Sequence, residues 1–101
     1  MTENEILLTM VAEECAEVAH VASKSLRFGL DNIPPYDYNK EAQATNAVRL
    51  VEEFNDLYAV MELLYLRGLI HTIVDRELVD QKHEKIGKYM KMSKDLEILK
   101  Y

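Results

Sequence analysis

Residues 47–67, AVRLVEEFNDLYAVMELLYLR, decide the fold. Their apolar side chains fall at Ala47, Leu50, Val51, Phe54, Leu57, Tyr58, Met61, Leu64 and Tyr65, the three-and-four spacing of a helical face. The spacing predicts a helix over about residues 41–67, from Glu41 to Arg67, stopped by Gly68. Upstream the same spacing recurs at Leu7, Met10, Val11, Cys15, Val18, Val21 and Ala22. Thr2 and Glu5 form a capping box ahead of that helix, and Gly29 is its natural stop. Between the two helices, Leu30 to Lys40 holds Pro34, Pro35, Tyr36 and Tyr38 and reads as an ordered loop.

A third helix is expected to start near Thr72 or Asp75, to carry Val79, Ile86 and Met90 on one face, and to fray after Ser93. Gly87 lies inside it, at a cost of ~1 kcal/mol relative to Ala. No segment alternates with period two for long enough to make a strand. The expected fold is all-α: a helical bundle of two long helices plus a shorter third, completed by oligomerisation. Stripes this broad leave more apolar surface than one short chain can cover, so a homodimer or homotetramer is expected.

With 101 residues the chain is expected to form one domain, residues 1–101. A 49% hydrophobic share supplies its core, and no apolar run approaches the ~20 residues of a membrane span. Twelve Lys and Arg against eighteen Asp and Glu leave −6, which disfavours nucleic acid as a partner. Cys15 is the only cysteine and no secretory apolar segment opens the sequence, so a cytoplasmic location is expected.

Two motifs share the pattern acidic-acidic-x-x-acidic: Glu13-Glu14-x-x-Glu17 on the first helix and Glu52-Glu53-x-x-Asp56 on the second. At about 100° per residue, Glu14 falls among Leu7, Val11, Val18 and Val21, in the middle of the apolar stripe. Glu17 lies at its edge. Glu53 is flanked by Leu50 and Leu57, with Asp56 one turn on. A carboxylate on a buried face costs several kcal/mol unless it is paired or binds metal. Two helices turning such pairs inward gather four carboxylates that only cations make tolerable. All-oxygen ligation selects a hard ion, Mg²⁺ or Mn²⁺, and Mg²⁺ commonly recruits substrate phosphates. Basic groups accompany the acids: His20, Lys24 and Arg27 along the first helix, Arg49 before Glu53, and Lys82 and Lys85 on the third. Asn46 stands two turns before Glu53.

The two motifs together resemble the signature of the MazG-like, all-α nucleoside triphosphate pyrophosphohydrolases. The similarity covers both long helices, roughly half the chain, and extends loosely to the Lys-rich third helix. It implies cleavage of a nucleoside triphosphate to monophosphate and pyrophosphate by a water, with Mg²⁺ held by Glu14, Glu17, Glu53 and Asp56. It implies that Glu13 is a further ligand or a base, and that Lys24, Asn46, Lys82 and Lys85 contact phosphate or base. It also implies a dimer or tetramer.

Other constellations compete. Glu17-x-x-His20 and Asp80-x-x-His83 have the spacing of a di-iron carboxylate bundle, although that site asks for two Glu-x-x-His motifs and further glutamates. His83, near Val79 and Ile86, reads as a hydrogen-bonded core histidine, and Cys15, beside Val11 and Val18, as an inert buried thiol. Tyr36 and Tyr38 read equally as base-stacking groups or as aromatic plugs over a helix end. No Gly-rich phosphate loop is present, which argues against a P-loop site. The contrasting class is a non-catalytic helical oligomerisation module whose acidic patches are solvated faces.

Overall fold

The computed structural model describes residues 1–33 and 44–98. Among them lie three α-helices and no strand: α1 (Glu3–Phe28), α2 (Asn46–Leu66) and α3 (Arg76–Asp95). The chain divides into two compact units, Met1–His71 with α1 and α2, and Thr72–Tyr101 with α3. No helix of the described residues is long and apolar enough to cross a membrane.

Thr2 caps α1 in a variant of the expected capping box. Its Oγ1 accepts from the Glu5 amide at 3.1 Å and donates to Glu5 Oε1, also at 3.1 Å. Glu3 and Glu5 in the first turn suit the positive end of the helix dipole. Gly29 ends the helix as expected: at φ 90 it takes a conformation that side chains disfavour, and its amide closes onto the Ser25 carbonyl at 2.8 Å.

The start of α2 corrects the sequence reading. The helix begins at Asn46 because Thr45 is extended and its Oγ1 accepts from the Val48 amide at 3.3 Å. The proposed first turn from Glu41, and the loop residues Pro34, Pro35, Tyr36 and Tyr38, lie outside the described residues. At the other end Gly68, at φ 75, turns the chain, and the Leu69 amide closes onto the Leu64 carbonyl at 3.0 Å.

Helices α1 and α2 form an antiparallel hairpin. Leu7 near the start of α1 packs with Val60 and Leu64 near the end of α2, joined by Val11, Met61 and Ile70. Arg67 reaches back to Glu3 at 2.9 Å, an exposed pair that contributes under about 1 kcal/mol. At the opposite end Asn46 is fully buried and its Nδ2 donates to the Gly29 carbonyl at 2.9 Å. The first two amides of α2 are satisfied by Asn32 and Leu30 carbonyls, at 3.0 and 2.8 Å.

The buried apolar core among the described residues is only Leu7, Val21, Val60 and Leu64. Several stripe residues therefore depart from expectation. Cys15 is exposed rather than buried, and Val51, Phe54 and Tyr65 are exposed on α2. One neighbouring helix covers one narrow stripe, and these residues lie outside it.

In the second unit Asp75 caps α3, accepting from the Glu77 and Leu78 amides at 3.0 and 3.3 Å. The helix passes through Gly87 and runs on to Asp95, past the expected fraying point at Ser93. None of its residues is buried. His83, expected as a hydrogen-bonded core histidine, is exposed.

Candidate functional site

The packing of Leu7 against Val60 and Leu64 and the Asn46 clamp on Gly29 fix the register of the hairpin. That register brings the middle of α1 level with the middle of α2. Glu14, Glu53 and Asp56 converge there, each offering one carboxylate oxygen, with those oxygens all within 4.8 Å of one another. Glu53 and Asp56 come from successive turns of α2, and Glu14 faces them from α1. Glu14 and Glu53 are partly buried between the helices, while Asp56 is exposed at the rim.

The electrostatics follow from the crowding. Burial raises the Glu53 pKa above the ordinary glutamate value, and the negative charges of Asp56, Glu17, Glu14 and Glu52 raise it further. Glu17 thus acts on Glu53 through space, although it stands outside the trio of converging oxygens and is exposed. Glu13, the first acid of its motif, is exposed.

The donor set suits a hard divalent cation. Neighbouring oxygens on one octahedral Mg²⁺ at about 2.0–2.1 Å sit about 2.9 Å apart and opposite ones about 4.2 Å, so carboxylates within 4.8 Å of one another would close by up to roughly 2 Å around the ion. No sulfur or imidazole belongs to the trio, which favours Mg²⁺ or Mn²⁺ over iron or zinc. Glu17 and His20 of the di-iron alternative are not in it.

The other candidates are placed as follows. Lys24 lies on α1 two turns beyond Glu17 and is partly buried. Asn46 is enclosed at the hairpin's closed end. Its Nδ2 is committed to Gly29, and its Oδ1 is buried with no partner among the described residues. Sequence reasoning offered Asn46 as a substrate contact and missed this clamp. The signal was present in Thr45-Asn46 following a loop, a pair suited to capping and turn bonds. Lys82 and Lys85 are exposed on α3, in the second unit. Lys85 borders a shallow groove of about 310 Å³ shared with Lys88, Tyr89 and Met92.

Comparison of the sequence with protein-family models, with characterised proteins and with solved structures returns no match in any of the three.

Proposed function

We propose that this chain is a Mg²⁺-dependent nucleoside triphosphate pyrophosphohydrolase that cleaves a (d)NTP to the (d)NMP and pyrophosphate. The observation that carries the reading is the convergence of Glu14, Glu53 and Asp56 from two helices within 4.8 Å. One acid of the first motif, Glu14, meets two of the second, Glu53 and Asp56. The resemblance to the MazG-like enzymes points the same way.

In this reading Glu14, Glu53 and Asp56 hold the ion, with Glu17 completing its shell from the rim. A bound divalent ion neutralises triphosphate charge and acidifies water. Glu13 or Glu17, both solvent-exposed beside the trio, takes the proton from the attacking water. Lys24 binds phosphate on the same flank of α1. The enzyme is read as a cytoplasmic homodimer or homotetramer.

The test is pyrophosphate release from a panel of (d)NTPs, with and without Mg²⁺ or Mn²⁺. Metal-dependent release lost in Glu14→Gln and Glu53→Gln supports the assignment. Turnover unchanged in both variants would sink it. The exposed apolar side chains of the hairpin favour a second reading, a non-catalytic oligomerisation module, which predicts no release under any condition.

A further inference from the structure

The acid-bearing side of the α1–α2 hairpin changes character along its length. The line where the helices touch runs through Leu7, Val11, Glu14, Val18 and Val21 on α1 and through Glu53, Leu57, Val60 and Leu64 on α2, all buried or half-buried. At about 100° per residue, Ile6, Met10, Glu13, Glu17 and Lys24 are turned from that line by about 60–120°, and Arg49, Asp56 and Leu63 by about 50–90° in the same sense. Because the helices run antiparallel, equal senses of rotation bring both sets out on one side of the hairpin.

Three zones follow one another there. Nearest the end where α1 stops and α2 starts stand Lys24 and Arg49, level within about a turn because Asn46 ties the start of α2 to Gly29. Both are partly buried, and the Arg49 Nε donates to the Ala44 carbonyl at 3.3 Å. The carboxylates occupy the middle. At the far end lie Ile6, Met10 and Leu63, brought together because their neighbours Leu7 and Leu64 pack on each other. They are 42%, 41% and 47% exposed, an apolar patch that starts one turn from Glu14. The cations are one-sided too. No Lys or Arg stands between Glu3 and Glu17 on α1, or between Asp56 and Leu66 on α2, and Arg67 beyond them is paired with Glu3 at 2.9 Å.

We infer that the nucleotide lies along this side with its pyrophosphate end toward Lys24 and Arg49 and its base over Met10, Ile6 and Leu63. This rests on the pyrophosphohydrolase reading and adds to it an orientation and the residues that hold the base. The order of the zones matches the order of groups in the ligand. A nucleoside triphosphate carries its charge at one end and an aromatic ring at the other, with the phosphate nearest the sugar between them. With the carboxylates of Glu14, Glu53 and Asp56 at the middle, the outer phosphates run one way and the base the other.

The two directions differ in free energy. Toward Lys24 and Arg49 the outer phosphates gain charge-assisted hydrogen bonds, roughly twice as strong as neutral ones. The base then covers apolar surface, and the Met10 sulfur meets an aromatic ring, a contact that thioethers favour. The lengths agree. Arg49 lies about 6 Å of helix before Glu53 and Lys24 about 10 Å beyond Glu17, distances that long side chains and a phosphate chain span together, while Met10 lies about 6 Å from Glu14. Reversed, the ligand would lay its charge on Ile6, Met10 and Leu63 and set its ring between two cations.

Two measurements on the same preparations test the orientation. One is KM for the preferred (d)NTP at saturating Mg²⁺. The other is the calorimetric Kd of inorganic tripolyphosphate, which has the phosphate chain and no base. Met10→Ala and Leu63→Ala should each raise KM at least about threefold and leave the tripolyphosphate Kd within about twofold, and Met10→Leu should restore KM. Arg49→Gln should weaken both at least about tenfold. Leu26→Ala, 90% exposed on the opposite side, should change neither. Absence of metal-dependent turnover of any (d)NTP by the wild type overturns the pyrophosphohydrolase reading and the inference with it. Given turnover, an unaltered KM in both Met10→Ala and Leu63→Ala refutes the orientation, and an unchanged tripolyphosphate Kd in Arg49→Gln refutes it from the other end. A tripolyphosphate Kd that rises in step with KM in the Met10 and Leu63 variants also refutes it, since a patch that touches only the base cannot act on a ligand without one.

Discussion

Removing the charge of Glu53 should move stability in opposite directions with and without divalent cation. In the metal-free protein Glu53 is held among carboxylates that raise its pKa. For an acid whose folded pKa lies above its unfolded one, stability is fully present below the ordinary value near 4.5 and is lost as pH rises through the folded value. At pH 7 the ionised Glu53 is therefore a net burden on the apo fold. A neutral isostere, Glu53→Gln, relieves repulsion from its two closest partners in the trio, Glu14 and Asp56. Like-charge neighbours on a helix surface cost about 0.2–0.5 kcal/mol each, so the relief is about 0.4–1 kcal/mol. For a domain of this size that raises Tm by about 2–8 °C.

Saturating metal reverses the order. For a site with a dissociation constant of about 1 mM, about 10 mM Mg²⁺ stabilises the wild type by RT ln 11, about 1.4 kcal/mol, or about 6–11 °C. Glu53→Gln loses a ligand and most of this gain. Thermal unfolding followed by circular dichroism at pH 7, in EDTA and in MgCl₂, reads both effects on the same preparations. As pH rises from about 4.5 in EDTA, the wild-type Tm should decline relative to the variant's, because only the wild type ionises Glu53. A variant less stable than wild type in EDTA, or one that keeps the full Mg²⁺ response, would refute the account of Glu53 as a crowded carboxylate awaiting a cation.

Three further outcomes are expected. Glu14→Gln and Asp56→Asn should each abolish the Mg²⁺-induced rise in Tm and lower pyrophosphate release at least about 100-fold, the scale of a lost transition-state charge contact. Lys24→Ala should lower kcat/KM by ~10- to 100-fold, because a charge-assisted hydrogen bond contributes about 1.5–3 kcal/mol; an unaltered kcat/KM would remove Lys24 from the site. Asn46→Asp should destabilise the hairpin by several kcal/mol at pH 7, since it faces the Gly29 carbonyl with a second acceptor and buries a charge. Urea unfolding at pH 7 and pH 5 checks this: the deficit should shrink at the lower pH, where the carboxyl regains a proton to donate.

The helices were legible because each carries its own boundary chemistry. Thr2, Gly29, Gly68 and Asp75 act locally, through their own hydroxyl, carboxylate or missing side chain, and they mark α1, α2 and α3 within a few residues. The apolar spacing, which begins at Ala47, does not by itself fix the start of α2. Thr45 competes there as a cap, and a periodic pattern carries no record of that competition. Burial was harder still. Cys15 and Phe54 share spacing with core residues, yet the hairpin covers only the line of contact, and a stripe does not reveal how many neighbours it has.

The acidic site was legible for a different reason, and only in part. Glu14 and Glu53 lie on apolar faces, so each helix alone shows a carboxylate where water is scarce. Which acids meet across the helices depends on register, which Leu7, Leu64 and Asn46 set at a distance. Glu14 was placed centrally and Glu17 at the edge of the stripe, and the same rotation separates them here: Glu14 points between the helices and Glu17 along the rim. In α1 and α2 one direction builds the small shared core and carries Glu14 and Glu53 within it, a second carries Glu13, Glu17, Glu52 and Asp56, and a third, with Leu8, Leu26, Val51 and Phe54, is apolar and exposed.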